Sequence, residues 1–349
     1  MKFASWNIEW MNNWFIGGNQ VALRPSYDLG SAGDAIADVP ALCERIAQVI
    51  RELDADILCV QEGPSDIREM ELFLSMFLPD GVGGSIYQAF GGYDGLAQKI
   101  YILVKHQGKV TNARPPHDDL SRALADAWEC DTDGTSSLQP YRFTRRPVVV
   151  DCDYQGRRLR VVAIHSKSKF IHNGAAMWSN PNHRAEFVRE AVKQRRRISA
   201  ESMRVRRYLD NLLQTDPHDA IIVAGDLNDG PGADYFEDLY LTHNVTDILL
   251  GTTYQPAWQF EHAFLWRLPQ RERYTAIFDD FVTKEKNKLI LLDHILVSPS
   301  LKSGGTTLHC LLNGGIAHQA FERAIHPSGT SSRERFPSDH RPVYAVFGP

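Results

Sequence analysis

Cysteine is scarce in this chain: five thiols in 349 residues, at positions 43, 59, 130, 152 and 310. An odd, widely scattered set cannot form a complete disulfide framework, and none of the spacings is that of a metal finger. Such usage fits a reducing, cytoplasmic setting. Long apolar runs are missing too. No stretch reaches the about 18 uninterrupted apolar residues of a membrane span, and no leader-like segment precedes the strand-like run that starts at Lys2. A soluble chain without a membrane anchor is expected. Positive charge is not in excess, with 38 Lys+Arg against 43 Asp+Glu and a formal net charge of −5. No global field therefore draws in a polyanion, and any such attraction must be local. Internal repeats, coiled-coil heptads and low-complexity tracts are absent as well.

What the chain does contain is an α/β pattern. Alternation over Phe3 to Trp10 puts Phe3, Ser5, Asn7 and Glu9 on one face of a strand and Ala4, Trp6, Ile8 and Trp10 on the other. Leu42, Ile46, Val49, Ile50 and Leu53 then recur at helical spacing, with Pro40 near the helix start. A turn at 54–56 leads into a buried strand ending at Glu62, and Asp66 with Glu69 reads as a capping signal for a helix through Phe77. Further strands are expected at 99–104, 147–152, 159–165, 220–225, 293–298 and 342–347. The segments 11–39, 106–146, 166–183, 252–288 and 311–336 read as long excursions, which in a compact domain tend to carry function.

The polar residues at the strand ends carry the chemistry. Ile221-Ile222-Val223-Ala224-Gly225-Asp226-Leu227-Asn228 and Phe336-Pro337-Ser338-Asp339-His340 each place ligand-type groups beside an apolar run. The segments ending in Asn7 and Glu9, in Glu62 and in His165, and the one starting at Asp293, do the same. Hydrolysis of a phosphodiester needs a cation on the phosphoryl oxygens, a base for water, and help for the leaving oxygen. Glu62 is the expected principal ligand of Mg²⁺ or Mn²⁺, with Glu9, Asp339 and Asn7 completing or supporting its surroundings. His340 is the expected base, oriented by Asp293.

In order and spacing these segments resemble the endonuclease/exonuclease/phosphatase superfamily, from Lys2 almost to the C-terminus. The resemblance implies a four-layer α/β sandwich, two packed and mostly antiparallel sheets with helices outside. It implies one catalytic domain over 1–349, with insertions near 106–146, 166–207 and 252–288. It repeats the pairing of Asp293 with His340. It also implies that Asp226 and Asn228 orient the attacking water and contact the phosphate, and that His165 donates to the leaving or a phosphoryl oxygen.

Substrate clues are local. Between Arg184 and Arg207 nine basic residues face three acidic ones, and Arg189, Arg196 and Arg197 fall on one helical side, a candidate track for a nucleic-acid backbone. Lys167 and Lys169, just after His165, would lie near the scissile phosphate. The insert from Tyr254 to Tyr274 mixes aromatic and basic residues; Phe260 and Phe264 are expected in the core. The resulting expectation is a metal-dependent nuclease on DNA, with attack by water and no covalent intermediate. Rival readings are a phosphatase or phospholipase on an inositol phosphate or sphingolipid, and a non-catalytic nucleic-acid-binding module.

Overall fold

The computed structural model describes all residues except 19–20, 29–34, 94–96, 231–243, 252–254, 303–307 and 312. Two large sheets dominate it. In the first, the spatial order is His309–Cys310, Val343–Gly348, Lys2–Asn7, Ile57–Gly63, Lys99–Lys105 and Tyr87–Gly91. In the second it is Glu261–His262, Asp293–Val297, Ala220–Asp226, Arg157–His165, Val148–Tyr154 and Val110–Arg114. Each sheet has a single parallel pair at its centre, Lys2–Asn7 with Ile57–Gly63 and Arg157–His165 with Ala220–Asp226. Their flanking strands run antiparallel. This arrangement brings the C-terminal ends of the four central strands, and the N-terminal ends of Asp293–Val297 and Val343–Gly348, to one edge.

The sheets face each other through a shared core. Phe3, Ile57, Cys59 and Ile102 from the first meet Val150, Val161, Ala163, Ile222 and Ile295 from the second. Alternate residues of the same strands point outward beneath helices, as period-two geometry requires. Ala4, Trp6, Leu58 and Val60 pack under the helices Val39–Leu53 and Ile67–Phe77. Val162, Ile164, Ile221, Val223 and Leu296 pack under Arg184–Thr215 and Val245–Leu250. Helix, sheet, sheet and helix make the four layers expected from the sequence.

Local chemistry explains the elements. Asp38 caps the Val39–Leu53 helix, Pro stands in its first turn, and Leu42, Ile46, Val49, Ile50 and Leu53 are all buried. Asp66 and Glu69 form the anticipated capping box. One glycine is demanded by packing. Gly225 has φ +149°, and a Cβ there would sit 1.8 Å from the Ile164 carbonyl oxygen, so only glycine lets the two central strands of the second sheet approach.

Two expectations need correction. The segment 106–146 is not wholly an excursion: Val110–Arg114 is an edge strand of the second sheet, and only Val110 of its five residues is buried, so no alternation marks it. Likewise 252–288 contains most of a hairpin, Ala276–Asp280 with Glu285–Ile290. Phe260 and Phe264 are buried as expected, while Trp266 is exposed. Tyr254 lies outside the described residues.

Candidate active site

At the shared edge, three neighbouring strands of the second sheet set His165, Asp226 and Asp293 side by side in register. All three are buried, and all point between the sheets, because they continue the parity of Ala163, Ala224 and Ile295. His294, one residue on, points the opposite way and is bonded to the Asp229 carbonyl at 2.9 Å.

The first sheet supplies Asn7 and Glu62. Asn7 continues the inward parity of Phe3 and Ser5, and its Nδ2 donates both to Asp226 Oδ2 at 3.0 Å and to Glu62 Oε1 at 3.2 Å, joining the sheets. Glu62 breaks parity. Simple alternation would turn it outward with Leu58 and Val60, but the register shifts between Val60 and Gly63 and Glu62 has φ +56°. The bulge re-aims the side chain into the site. Left-handed backbone recurs at Glu9 and Asn228, at φ +58° and +51°, so three site residues hold a conformation that β-carbon sterics disfavour. The strand itself ends at Asn7. Glu9 therefore does not share its face by alternation; its backbone N–H instead donates to Asn7 Oδ1 at 2.9 Å.

The last turn before the strand Val343–Gly348 delivers Asp339 and His340. Ser338 Oγ donates to the Asn7 carbonyl at 2.7 Å and Trp6 Nε1 to the His340 carbonyl at 2.7 Å, fixing this backbone on the first strand. His340 Nδ1 lies 2.7 Å from Asp293 Oδ2, leaving Nε2 facing Asp226 Oδ2 and Asp339 Oδ1 at 4.0 and 3.9 Å. His165 Nε2 stands 3.4 Å from the same Asp226 oxygen and 3.9 Å from Glu62 Oε1. Asn228 donates from its backbone to Asp226 Oδ1 at 2.7 Å and from Nδ2 to the Ser166 carbonyl at 3.1 Å. Thus Asn7, Glu9, Glu62, His165, Asp226, Asn228, Asp293, Asp339 and His340 form one cluster.

Its electrostatics are sharply divided. Burial alone would raise the Asp226 carboxyl, but the His340 and His165 imidazoles and the Asn228 N–H outweigh it and hold the group below the ordinary carboxylate range. Burial would lower His340; the Asp293, Asp339 and Asp226 carboxylates reverse this and hold it well above the usual imidazole value. Asp339 is pushed up to about 7, by seclusion within the cluster and then by Glu9 and Glu62. Its side chain keeps 60% of its surface, so we take the like-charge crowding as the decisive cause.

That crowding is how a divalent cation fits. Glu62, Asp339 and Glu9 are hard oxygen donors, near enough that Glu9 and Glu62 raise the Asp339 carboxyl, and of the type that Mg²⁺ takes. Among the described residues, the three groups whose ligand atoms all lie within 4.8 Å of one another are Asp226, Asp293 and His340. In that trio Asp293 Oδ2 and His340 Nδ1 are bonded to each other, while the buried Asp293 Oδ1 has no partner.

Sequence reasoning missed the groups that hold this cluster. Glu62 Oε2 accepts from Gln98 Nε2 at 2.7 Å and from the Trp10 backbone at 2.9 Å, and Gln98 Oε1 accepts in turn from Arg145. Arg333, buried, sits 3.1 Å from Glu9 Oε2 and also bonds the Ile8, Glu9 and Pro337 carbonyls. No motif marks Gln98, Arg145 or Arg333.

The basic candidates divide. Lys167 is half-buried, its Nζ bonded to the Ser168 carbonyl, and Lys169 pairs with buried Asp229 at 2.7 Å. Arg189 and Arg196 are exposed on the long helix. Arg197 and its neighbour Lys193 lie 3.9 and 3.2 Å from Asp133, and Arg196 packs against Gly134. The structure does not bring these helix residues into the cluster. Beside His340, Asp339 and Asn228 opens a cleft of about 860 Å³ with largely apolar walls, including Phe170, Phe187, Phe278 and Phe281.

A double sheet with carboxylates and a carboxylate-held imidazole at one edge is the arrangement of a phosphoester hydrolase. The chain belongs to the Endonuclease/Exonuclease/phosphatase family, whose model matches residues 4–340. Among proteins with curated descriptions, none matches the sequence. Similar solved structures include truncated TDP2 of Caenorhabditis elegans, at 13% identity and TM-score 0.49, covering 100% of this chain and 97% of that one. TDP2 of D. rerio complexed with a single-strand DNA product is similar at 14% identity and TM-score 0.48, covering 100% and 99%. A mannosyl-6-phosphatase of Bacteroides thetaiotaomicron is similar at 14% identity and TM-score 0.46, covering 100% of each. Among the described residues, no helix is long and apolar enough to cross a membrane.

Proposed function

We propose that this phosphoesterase is a divalent-metal-dependent nuclease that hydrolyses phosphodiesters in DNA, cutting internally, and that 1–349 acts as one catalytic domain. The observation that carries the reading is the buried Asp293–His340 bond beside Asp226 at the joint edge of both sheets. Asp293 holds the imidazole so that Nε2, once the ring has lost the proton that the surrounding carboxylates favour, takes the proton of the attacking water, and this base role strengthens as pH rises. Asp226, tied down by Asn7 and Asn228, orients that water, and Asn228 contacts the phosphate. His165 donates toward the leaving oxygen. Glu62, with Asn7, Glu9 and Asp339 around it, would hold Mg²⁺ or Mn²⁺, which when bound polarises the phosphoryl oxygens. Lys167 and Lys169 line the approach, and Arg189, Arg196 and Arg197 contact more distant phosphates. The DNA product bound to the D. rerio TDP2 accords with a polynucleotide substrate.

The apolar cleft favours a second reading, a phospholipase or phosphatase whose substrate carries a greasy or aromatic group. One panel separates the two: purified protein with Mg²⁺ or Mn²⁺ against supercoiled plasmid, linear duplex, single strands, RNA, inositol phosphates and sphingomyelin. Nicked or linearised circles support the endonuclease. Turnover of the lipid or inositol phosphate alone overturns it.

A further inference from the structure

A second cavity, of about 360 Å³, has Gln98 in its lining and shares no lining residue with the apolar cleft. Four cationic side chains line it: Lys99, Arg142, Arg145 and Arg146. Among the described residues none of the four has a carboxylate within ion-pair distance; their partners are neutral. Lys99 Nζ bonds the Gly92 carbonyl at 3.2 Å, Arg142 the Ala125 carbonyl at 3.1 Å, and Arg145 the Ser166 carbonyl at 3.3 Å as well as the Gln98 amide oxygen. The Arg146 guanidinium lies over the Tyr93 ring at 4.4 Å, and its buried Nε has no hydrogen-bond partner.

Several cations elsewhere are neutralised directly. Arg158, Arg160, Arg206, Lys193 and Arg333 each sit against a carboxylate, and formal net charge is −5. Cations gathered round one cavity, with no carboxylate among the described residues within ion-pair distance, repel one another, and an anion that enters relieves this. Position gives the anion a role. Gln98 joins the cavity to Glu62 through its Nε2, and Arg145 reaches the residue after His165. The cavity thus begins one side chain away from the candidate catalytic cluster.

We infer that this cavity is a subsite for a second phosphate of the substrate, one not being cleaved. The inference rests on the phosphodiesterase reading for the word substrate, but not for anion binding itself. Guanidinium groups match phosphate in two-pronged geometry; Arg142 has a single carbonyl partner and Arg146 keeps a buried Nε without one, whereas Arg145 is occupied with both Gln98 and Ser166. The same chemistry serves the neighbouring phosphate of a polynucleotide or a second phosphate on a small phosphoester.

Two measurements test it. First, thermal unfolding in chelator is followed with inorganic sulfate at constant ionic strength, for wild type and the Arg142→Ala, Arg146→Ala double variant; ligand that binds the folded state raises the midpoint. Wild type should be stabilised more than the variant. Equal shifts would mean a general salt effect and overturn the subsite. Second, kcat/KM is compared for a dithymidine monophosphate and the same dinucleotide bearing a terminal phosphate. Wild type should favour the second phosphate by about tenfold or more, a single charge-assisted contact's worth, and the variant should lose most of that preference. An undiminished preference refutes the proposal. A parallel pair of sugar mono- and bisphosphates identifies the source, since a gain confined to one pair names its class. Should the double variant fail to fold, the exposed Arg142→Gln change alone must still reduce both the sulfate shift and the preference. If no substrate turns over, the nuclease reading falls while the sulfate comparison still decides the subsite.

Discussion

The most exacting consequence of the geometry is that Asp293 and His340 act as one unit. Their 2.7 Å contact is buried at both ends, and His340 is held on its other side by the Trp6 and Ser338 bonds to its backbone. These bonds fix the backbone that carries the ring, and Asp293 fixes its Nδ1 side. Replacing the imidazole in His340→Gln removes the proposed base, which is worth on the order of 10²–10⁴ in kcat, or about 3–5 kcal/mol. Asp293→Asn keeps the volume but removes the charge that stabilises the protonated ring and allows the amide to fix the wrong tautomer, so a loss on the same order is expected. Once the base is gone its support has nothing to support. The double variant should then be no slower than His340→Gln alone, whereas independent residues would multiply their losses. Single-turnover cleavage of a generic phosphodiester under saturating Mn²⁺ measures the cycle, with circular dichroism melts to show that each variant is folded. A double loss equal to the product of the singles, or an Asp293→Asn rate within about threefold of wild type, would refute the coupling.

Two further outcomes follow from other groups. Chelation with EDTA should abolish hydrolysis and added Mg²⁺ or Mn²⁺ should restore it, because Glu9 and Glu62 both crowd the Asp339 carboxyl, and a bound cation would relieve that crowding; full rates in excess chelator would exclude the cation. Behind the site His262 is held down to about 3, by burial and then by His294 at 5.3 Å between ring centres. A depressed pKa means the fold prefers the neutral ring, so the stability it carries is complete above about 6.5 and is lost as pH falls toward 3, at about 1.4 kcal/mol per unit. His262→Phe should flatten the fall of the melting temperature over that window, and an unchanged slope would show that the ring is solvated.

Much of this was legible in the sequence, for a physical reason. Strands buried on both faces leave long apolar runs, and these located 99–105, 148–154, 157–165, 220–226, 293–297 and 343–348 to within two residues. The grouping of the candidate residues was legible because its members stand where those runs stop. Edge strands were not: Tyr87–Gly91 and Val110–Arg114 bury too few residues to alternate visibly. Nor was the inward turn of Glu62, since a bulge reverses parity without any residue type announcing it. Gln98 and Arg333 reach their partners across 36 and 324 residues of chain, a relation no local pattern encodes. The long basic helix was plain as a pattern, but the contacts of Lys193 and Arg197 with Asp133 were not.

The pairing of the first strand with the last, Lys2 opposite Val346 and Ser5 opposite Val343, has a consequence in time. Asn7 and His340 reach the same edge only when that long-range contact closes, and contacts so distant along the chain form slowly. A growing or refolding chain can hold most of its helices and half its strands and still lack a base, because His340 arrives with the final strand. Recovery of hydrolysis should therefore trail the recovery of far-ultraviolet signal, and a half-made chain is inert toward whatever phosphoesters surround it.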